Sequence, residues 1–160
     1  MPTFDISSEF NKQEVTNAVD QCHREISNRY DFRDTKTSIS LMENSILLKS
    51  STLDRMLAAE QVLKEKFVKR SVSIKFLGDV KDETLLSEVK RTYNLKSGID
   101  QSTSKEIITL LKKSNKKIQC SYQNETIRVT SKKRDDLQEA IMLIKESDIE
   151  TPLNFGNFRD

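Results

Sequence analysis

Residues 39–65 of this chain are echoed by residues 120–146, an offset of 81 positions. Identical pairs are Ser40/Ser121, Ile46/Ile127, Ser50/Ser131, Asp54/Asp135, Ala59/Ala140, Lys64/Lys145 and Glu65/Glu146. Apolar character is kept at Ile39/Cys120, Leu41/Tyr122, Leu48/Val129, Met56/Leu137 and Leu63/Ile144. A fixed-period echo over that many patterned positions points to one structural unit used twice. It constrains architecture and says nothing about activity.

Reading along the chain fills in the unit. Thr3–Ser7 is predicted as a strand with Phe4 and Ile6 on one face. Asn11 then opens a helix, with Glu14 at the reciprocal capping position and Val15, Ala18, Val19, Cys22 and Ile26 as its stripe. Two strand-like runs, Thr37–Met42 and Ile46–Ser50, form a hairpin turning at Glu43-Asn44-Ser45. A second helix follows a Ser50-Ser51 cap and carries Leu53, Met56, Leu57, Leu63 and Phe67. Ser71–Leu77 alternates Val72, Ile74 and Phe76 and reads as a strand, closed by a turn at Gly78-Asp79. Thr84–Leu95 fits either period, and the duplication makes it a strand.

After Gly98 the order repeats. A helix bears Ile107, Ile108 and Leu111, ending on Lys112-Lys113. A hairpin spans Lys116–Tyr122 and Glu125–Thr130. A last helix from about Lys132 to Glu146, capped by Ser131, presents Leu137, Ala140, Ile141 and Ile144. Leu153–Phe158 forms a short strand or extended tail. Strand, helix, strand, strand, helix, strand, stated twice, is the ferredoxin-like βαββαβ pattern, an α+β fold with helices on one sheet face.

The chemistry-bearing residues are sparse. His23, the lone histidine, neighbours Cys22 on a helix, where the two side chains diverge by about 100°; a nucleophile–base pair must converge. No Cys/His grouping has zinc-site spacing, and three glycines are too few for a glycine-rich phosphate loop. Asp135-Asp136 also diverge and suit a helix N-terminus rather than a metal. The reading is a protein that is not an enzyme and takes no metal or cofactor. No run of about 20 apolar residues spans a bilayer, and the N-terminus lacks a basic segment followed by an apolar one. Cys22 and Cys120 sit on apolar faces as free thiols, which fits a cytoplasmic protein.

Charge supplies the first hint of a partner. The formal net charge is +2, yet Arg91–Arg134 holds eleven Lys/Arg against Asp100, Glu106 and Glu125, a local +8. A basic zone attracts polyanions; solvated helix ends are the alternative. Candidate phosphate contacts are Lys132, Lys133 and Arg134 at a helix start, with Lys116 and Lys117 at the entrance of the adjoining hairpin and Arg128 on the opposite sheet face. That face reads Gln119, Ser121, Thr126 and Arg128, without the aromatics on which RNA-binding sheets stack bases.

Phe4-Asp5-Ile6, Arg29-Tyr30-Asp31-Phe32-Arg33, Lys96-Ser97-Gly98-Ile99, Arg128-Val129-Thr130, Lys133-Arg134-Asp135-Asp136-Leu137-Gln138 and Asn157-Phe158-Arg159-Asp160 resemble, in order and over the whole chain, the YajQ family of small bacterial proteins. Tyr30 departs from the Trp that many members carry. The resemblance implies two ferredoxin-like units that exchange their N-terminal strands. One would comprise residues 8–96, including an exchanged strand at 84–95; the other would comprise 1–7 plus 97–160. It also implies nucleotide binding, with tRNA, purine nucleotides and cyclic di-GMP among the ligands associated with members, and transcriptional regulation in some bacteria. Asp31-Phe32-Arg33 and Asn157-Phe158-Arg159-Asp160 each set Phe beside Arg and near Asp. They lock structure through an Arg–carboxylate pair, or else Arg33 and Arg159 contact phosphate. The leading expectation is a nucleotide- or RNA-binding protein using the basic second half. The alternatives are a cyclic di-GMP sensor that acts on a protein or transcriptional partner, and a protein-interaction module.

Overall fold

In a computed structural model covering residues 1–160, the chain forms two compact units, one of Phe10–Lys96 and one of Met1–Glu9 with Ser97–Asp160. The latter begins with strand β1 (Thr3–Ser7) and resumes after the former is complete, with α3 (Gln101–Ser114), β6 (Gln119–Gln123), β7 (Thr126–Thr130), α4 (Arg134–Lys145) and β8 (Asn154–Arg159). Its antiparallel sheet runs β6-β7-β1-β8. The Phe10–Lys96 unit contains α1 (Lys12–Asn28), β2 (Ser38–Leu41), β3 (Ser45–Ser50), α2 (Leu53–Lys69), β4 (Val80–Thr84) and β5 (Val89–Asn94), in the order β2-β3-β5-β4. Laying one sheet over the other puts β5 where β1 sits. The chain is a duplicated ferredoxin-like fold with exchanged strands: β1 precedes α1 in sequence but serves the other unit, and β5, which precedes α3, completes the sheet of Phe10–Lys96.

Each sheet buries one face beneath its two helices. In the Phe10–Lys96 unit, Ile39, Ile46, Leu48 and Tyr93 meet Val15, Ala18, Val19, Cys22, Met56, Leu63 and Phe67. In the other, Phe4, Ile6, Ile127 and Val129 meet Ile107, Leu111, Leu137 and Ile141. The strand side chains alternate buried and half-exposed along β1, β3 and β7, as a half-buried sheet requires.

Local chemistry fixes the ends, not always as anticipated. Asn11 caps α1 by accepting from the Gln13 and Glu14 amides at 3.0 and 3.2 Å. Glu14 does not close the capping box. Its carboxylate instead takes a bidentate bond from Arg70 at 2.8 and 2.9 Å, tying the start of α1 to the end of α2. The α2 cap is Thr52, not Ser50-Ser51; Ser50 is buried and shares a hydroxyl bond with Thr37 at 3.0 Å. Leu53 and Leu57 face solvent because Met56, Ala59, Val62, Leu63 and Phe67 already form the stripe. Lys133 occupies the α4 cap position without a side-chain bond, while the buried Ser131 bonds Asp136 in the first turn at 2.8 Å.

Two strand assignments are corrected. Ser71–Leu77 is not a strand: Ser73 caps a 3-10 turn at Ile74–Leu77, Ile74 is exposed, and Val72, Phe76 and Leu77 plug the end of the core. Phe76 meets Phe10 edge-to-face at 5.3 Å. Nor is Thr84–Leu95 one strand. Leu85 and Leu86 are exposed in the tip of a hairpin closed by a Leu85 N–H to Glu88 carbonyl bond of 2.7 Å, and only Val89–Asn94 continues as β5. Its partner β4 is exposed at all five residues. Besides its ladder with β5, charge holds this hairpin: Arg91 forks onto Asp82 at 2.7 and 2.9 Å and reaches Glu60 of α2 at 2.8 Å, and Glu60 also accepts the Tyr93 hydroxyl.

Candidate functional site

The unit built from β1 and β6–β8 gathers most of the predicted cations at one end of its sheet. Gln119 pairs with Thr130, so Lys116 and Lys117, just before β6, share an end with Lys132 and Lys133, just after β7. Thr3 pairs with Thr130 on one side and Arg159 on the other, and the Ser131 N–H bonds the Pro2 carbonyl at 3.2 Å. The start of α4, and with it Arg134, therefore belongs to the same rim, as does Arg159 at the end of β8. The last turn of α3 adds Lys112 and Lys113. Lys116, Lys117, Lys132 and Lys133 are exposed and make no ion pair. Four ammonium groups and a helix N-terminus at one edge form an anion-attracting surface.

The two arginines of the rim are placed differently. Arg134 is ion-paired with Asp160. It opens onto a concavity of about 310 Å³ shared with Pro2, Thr3, Phe158, Arg159 and Asp160. Phe158 is 57% exposed, and its ring stacks on the buried Phe4 at 5.8 Å. A second concavity of about 500 Å³ lies beside Lys112, Lys116, Gln119 and Cys120.

Arg128 lies away from the rim, on the open sheet face. Its Nε donates to Asp5 at 3.1 Å across the β1–β7 pair, and Asn157 donates to the other Asp5 oxygen at 2.7 Å. Burial raises the Asp5 pKa, but the bonds from Arg128 and Asn157 outweigh it and hold the carboxyl below its ordinary value. A polar concavity of about 250 Å³ borders this pair, lined by Ser121, Gln123, Asn124 and Thr126.

Arg33 belongs to the Phe10–Lys96 unit. It lies over the Tyr30 ring at 6.0 Å. Asp31 pairs with Arg29 and Arg55, not with Arg33. At the other motif Asp160 pairs with Arg134, and Arg159 Nε reaches Asn157 at 3.4 Å. The two Phe-Arg-Asp motifs thus resemble each other in sequence but not in wiring. Sequence reasoning missed the Glu60–Arg91–Asp82 lock, since its members share no local spacing.

The rim is a local feature. The unit as a whole has eleven Lys/Arg and twelve Asp/Glu, a net of −1. Glu146, Asp148 and Glu150 follow the C-terminus of α4, at the opposite end from the lysines. Reactive groups are scarce: burial pushes the Cys22 thiol up to about 12 and raises Cys120 as well. No group of three or more His, Cys, Asp or Glu converges for a metal. No helix is long and apolar enough to cross a membrane.

Fold and site together define a two-unit, strand-exchanged ferredoxin-like protein with a cationic rim at one sheet end. Residues 2–159 match the family described as nucleotide-binding protein YajQ-like, and the chain belongs to that family. It is 43% identical to a nucleotide-binding protein of Hahella chejuensis, 38% to one of Nitrosococcus oceani and 43% to one of Coxiella burnetii, in each case over the full length of both chains.

Proposed function

We propose that this protein binds a nucleotide or the phosphate backbone of RNA through the rim formed by Lys116, Lys117, Lys132, Lys133 and Arg134, with Arg159 alongside and Arg128 on the adjoining face. The observation that carries the reading is the set of four exposed lysines without acid partners at one sheet end. The names of its relatives, nucleotide-binding proteins, point the same way. Arg128 enters only as a fixed cation, since Asp5 already occupies its Nε.

Phosphates dominate affinity in such a site, so binding of a short RNA weakens as salt rises. Replacing Lys132, Lys133 and Arg134 together by Ala lowers RNA affinity at least ten-fold at 100 mM salt, measured by fluorescence anisotropy. Unchanged affinity in the triple variant defeats the proposal.

A compact ligand is a second reading, favoured by the concavity of about 310 Å³ in which Arg134 and Arg159 flank the exposed ring of Phe158. Two guanidinium groups suit phosphates and the ring suits a base. Calorimetry with cyclic di-GMP, GTP and a short RNA separates the readings: saturable binding of cyclic di-GMP alone selects the sensor, and RNA alone selects the backbone binder. If none of the three binds, the interaction-module alternative takes their place.

A further inference from the structure

The Phe10–Lys96 unit carries an aromatic that its core does not use. Tyr30 is 83% exposed, on a 3-10 turn, Tyr30–Phe32, directly after α1. The turn is held from beneath. Phe32 is buried, with the Arg29 guanidinium 5.1 Å and the Arg55 guanidinium 5.9 Å from its ring centroid. Asp31 clamps those two arginines, taking two bonds from Arg29 at 2.7 and 3.0 Å and one from Arg55 at 3.2 Å. Just beyond, Asp34 and Lys36 adopt positive φ of 57° and 54°, a backbone shape that non-glycine residues take up rarely. Tyr30 is thus displayed outward by a braced turn, so that little ordering entropy is lost when something lands on it.

The surroundings select the kind of partner. Arg29, Asp31, Arg33, Asp34 and Lys36 are all exposed and charged, so Tyr30 is a single π-face among charges and not part of an apolar patch of the sort that seats a protein. Arg33 sits 6.0 Å from the ring, and neither Arg33 nor Lys36 makes an ion pair. An aromatic face with the unpaired Arg33 beside it, and the unpaired Lys36 six positions further along the chain, suits an unstacked base with its phosphate.

We propose that Tyr30 is a stacking platform for an unpaired nucleobase of single-stranded nucleic acid, with Arg33 and Lys36 contacting the flanking phosphates. The ligand class rests on the nucleic-acid reading above, but the geometry lies in the other unit and does not depend on the lysine rim.

The chain contains no tryptophan, so Tyr30→Trp keeps a stacking ring and adds a unique fluorophore. A fluorescein-labelled 12-residue oligoadenylate reports binding by anisotropy, its unlabelled form quenches the introduced indole on stacking, and polyphosphate serves as a base-free control. The full-length Y30W protein retains wild-type affinity, and its emission is quenched by the oligonucleotide but not by polyphosphate. Tyr30→Ala, at an exposed position, keeps the wild-type circular dichroism spectrum and loses affinity about ten-fold, the range for one stacked base. Adding Lys132→Ala and Lys133→Ala to Y30W weakens affinity yet leaves the quenching at saturation intact. Unquenched indole emission while anisotropy reports a bound oligonucleotide overturns the stacking proposal and leaves the rim reading standing. No anisotropy change at any concentration overturns both.

Discussion

Gly98 sits at φ +95°, in the half of backbone space that only glycine enters without strain. Its N–H bonds the Ser8 carbonyl at 2.5 Å, and the next amide, of Ile99, bonds the Glu125 carbonyl at 3.0 Å. A Cβ at this position would run into the Glu125 side chain. Gly98→Ala therefore costs about 2 kcal/mol, from left-handed strain plus displacement of Glu125, read as a lower urea midpoint at unchanged slope. The Glu60 cluster gives a second test at this scale. Burial raises the Glu60 pKa, but hydrogen bonds from Tyr93 and Arg91 more than reverse it, so the folded-state value lies below 4.5. A carboxyl whose pKa is depressed on folding contributes stability above its unfolded pKa, and that contribution is lost as pH falls through the folded value. Stability of the Phe10–Lys96 unit consequently declines as pH drops below about 4.5. Glu60→Gln loses about 2 kcal/mol at pH 7, and the loss shrinks toward zero in acid; urea titrations at pH 7, 5 and 3 measure both.

Elements with an apolar period were legible in the residues. All four helices and both predicted hairpins followed from stripes such as Val15-Ala18-Val19-Cys22-Ile26 and alternations such as Ile46-Leu48. Edge strand β4 was not, because Val-Lys-Asp-Glu-Thr has no buried face to pattern; its contribution is pairing and the Asp82–Arg91 fork. Ser71–Leu77 misled for the opposite reason: Val72 and Phe76 are both buried, but Ile74 between them is exposed and starts a 3-10 turn, so the alternation in residue type is not a strand's two-residue period. At the site, the crowding of lysines was visible in the sequence. Which of the cations carry acid partners was not, since Arg128–Asp5 and Arg134–Asp160 join residues far apart in the chain. Strand exchange yields its own prediction. Phe4 and Ile6 are fully buried, on a strand paired between β7 and β8, so Ile6→Ala costs about 3 kcal/mol. The cost falls on the unit containing β6–β8 and not on α1, its neighbour in sequence. Hydrogen exchange should lose protection at Ile127 and Val129 in this variant while Val19 and Cys22 keep theirs. Equal loss in α1 contradicts the exchanged arrangement.

For the whole molecule, charge number and charge position make different demands. The +2 overall charge is too small to draw a polyanion by itself, and the unit that bears the rim is net negative. The proposed attraction must then come from the local field of the rim, which falls off within about 10 Å at 0.1 M salt. A plot of log affinity against log salt for single-stranded RNA changes by about 0.7 in slope for each phosphate contact removed. Removing Lys132, Lys133 and Arg134 therefore flattens the slope by about 2 when each meets a phosphate. A charge-matched control, Lys12→Ala with Arg24→Ala and Lys69→Ala, removes three cations from exposed helix positions of the other unit. The slope in that control stays at the wild-type value, and affinity changes less than two-fold at 0.15 M salt. Were net charge the driving force, the two triple variants would weaken binding equally, because each takes the formal charge from +2 to −1. Anisotropy titrations at four salt concentrations decide between a placed set of cations and a diffuse one.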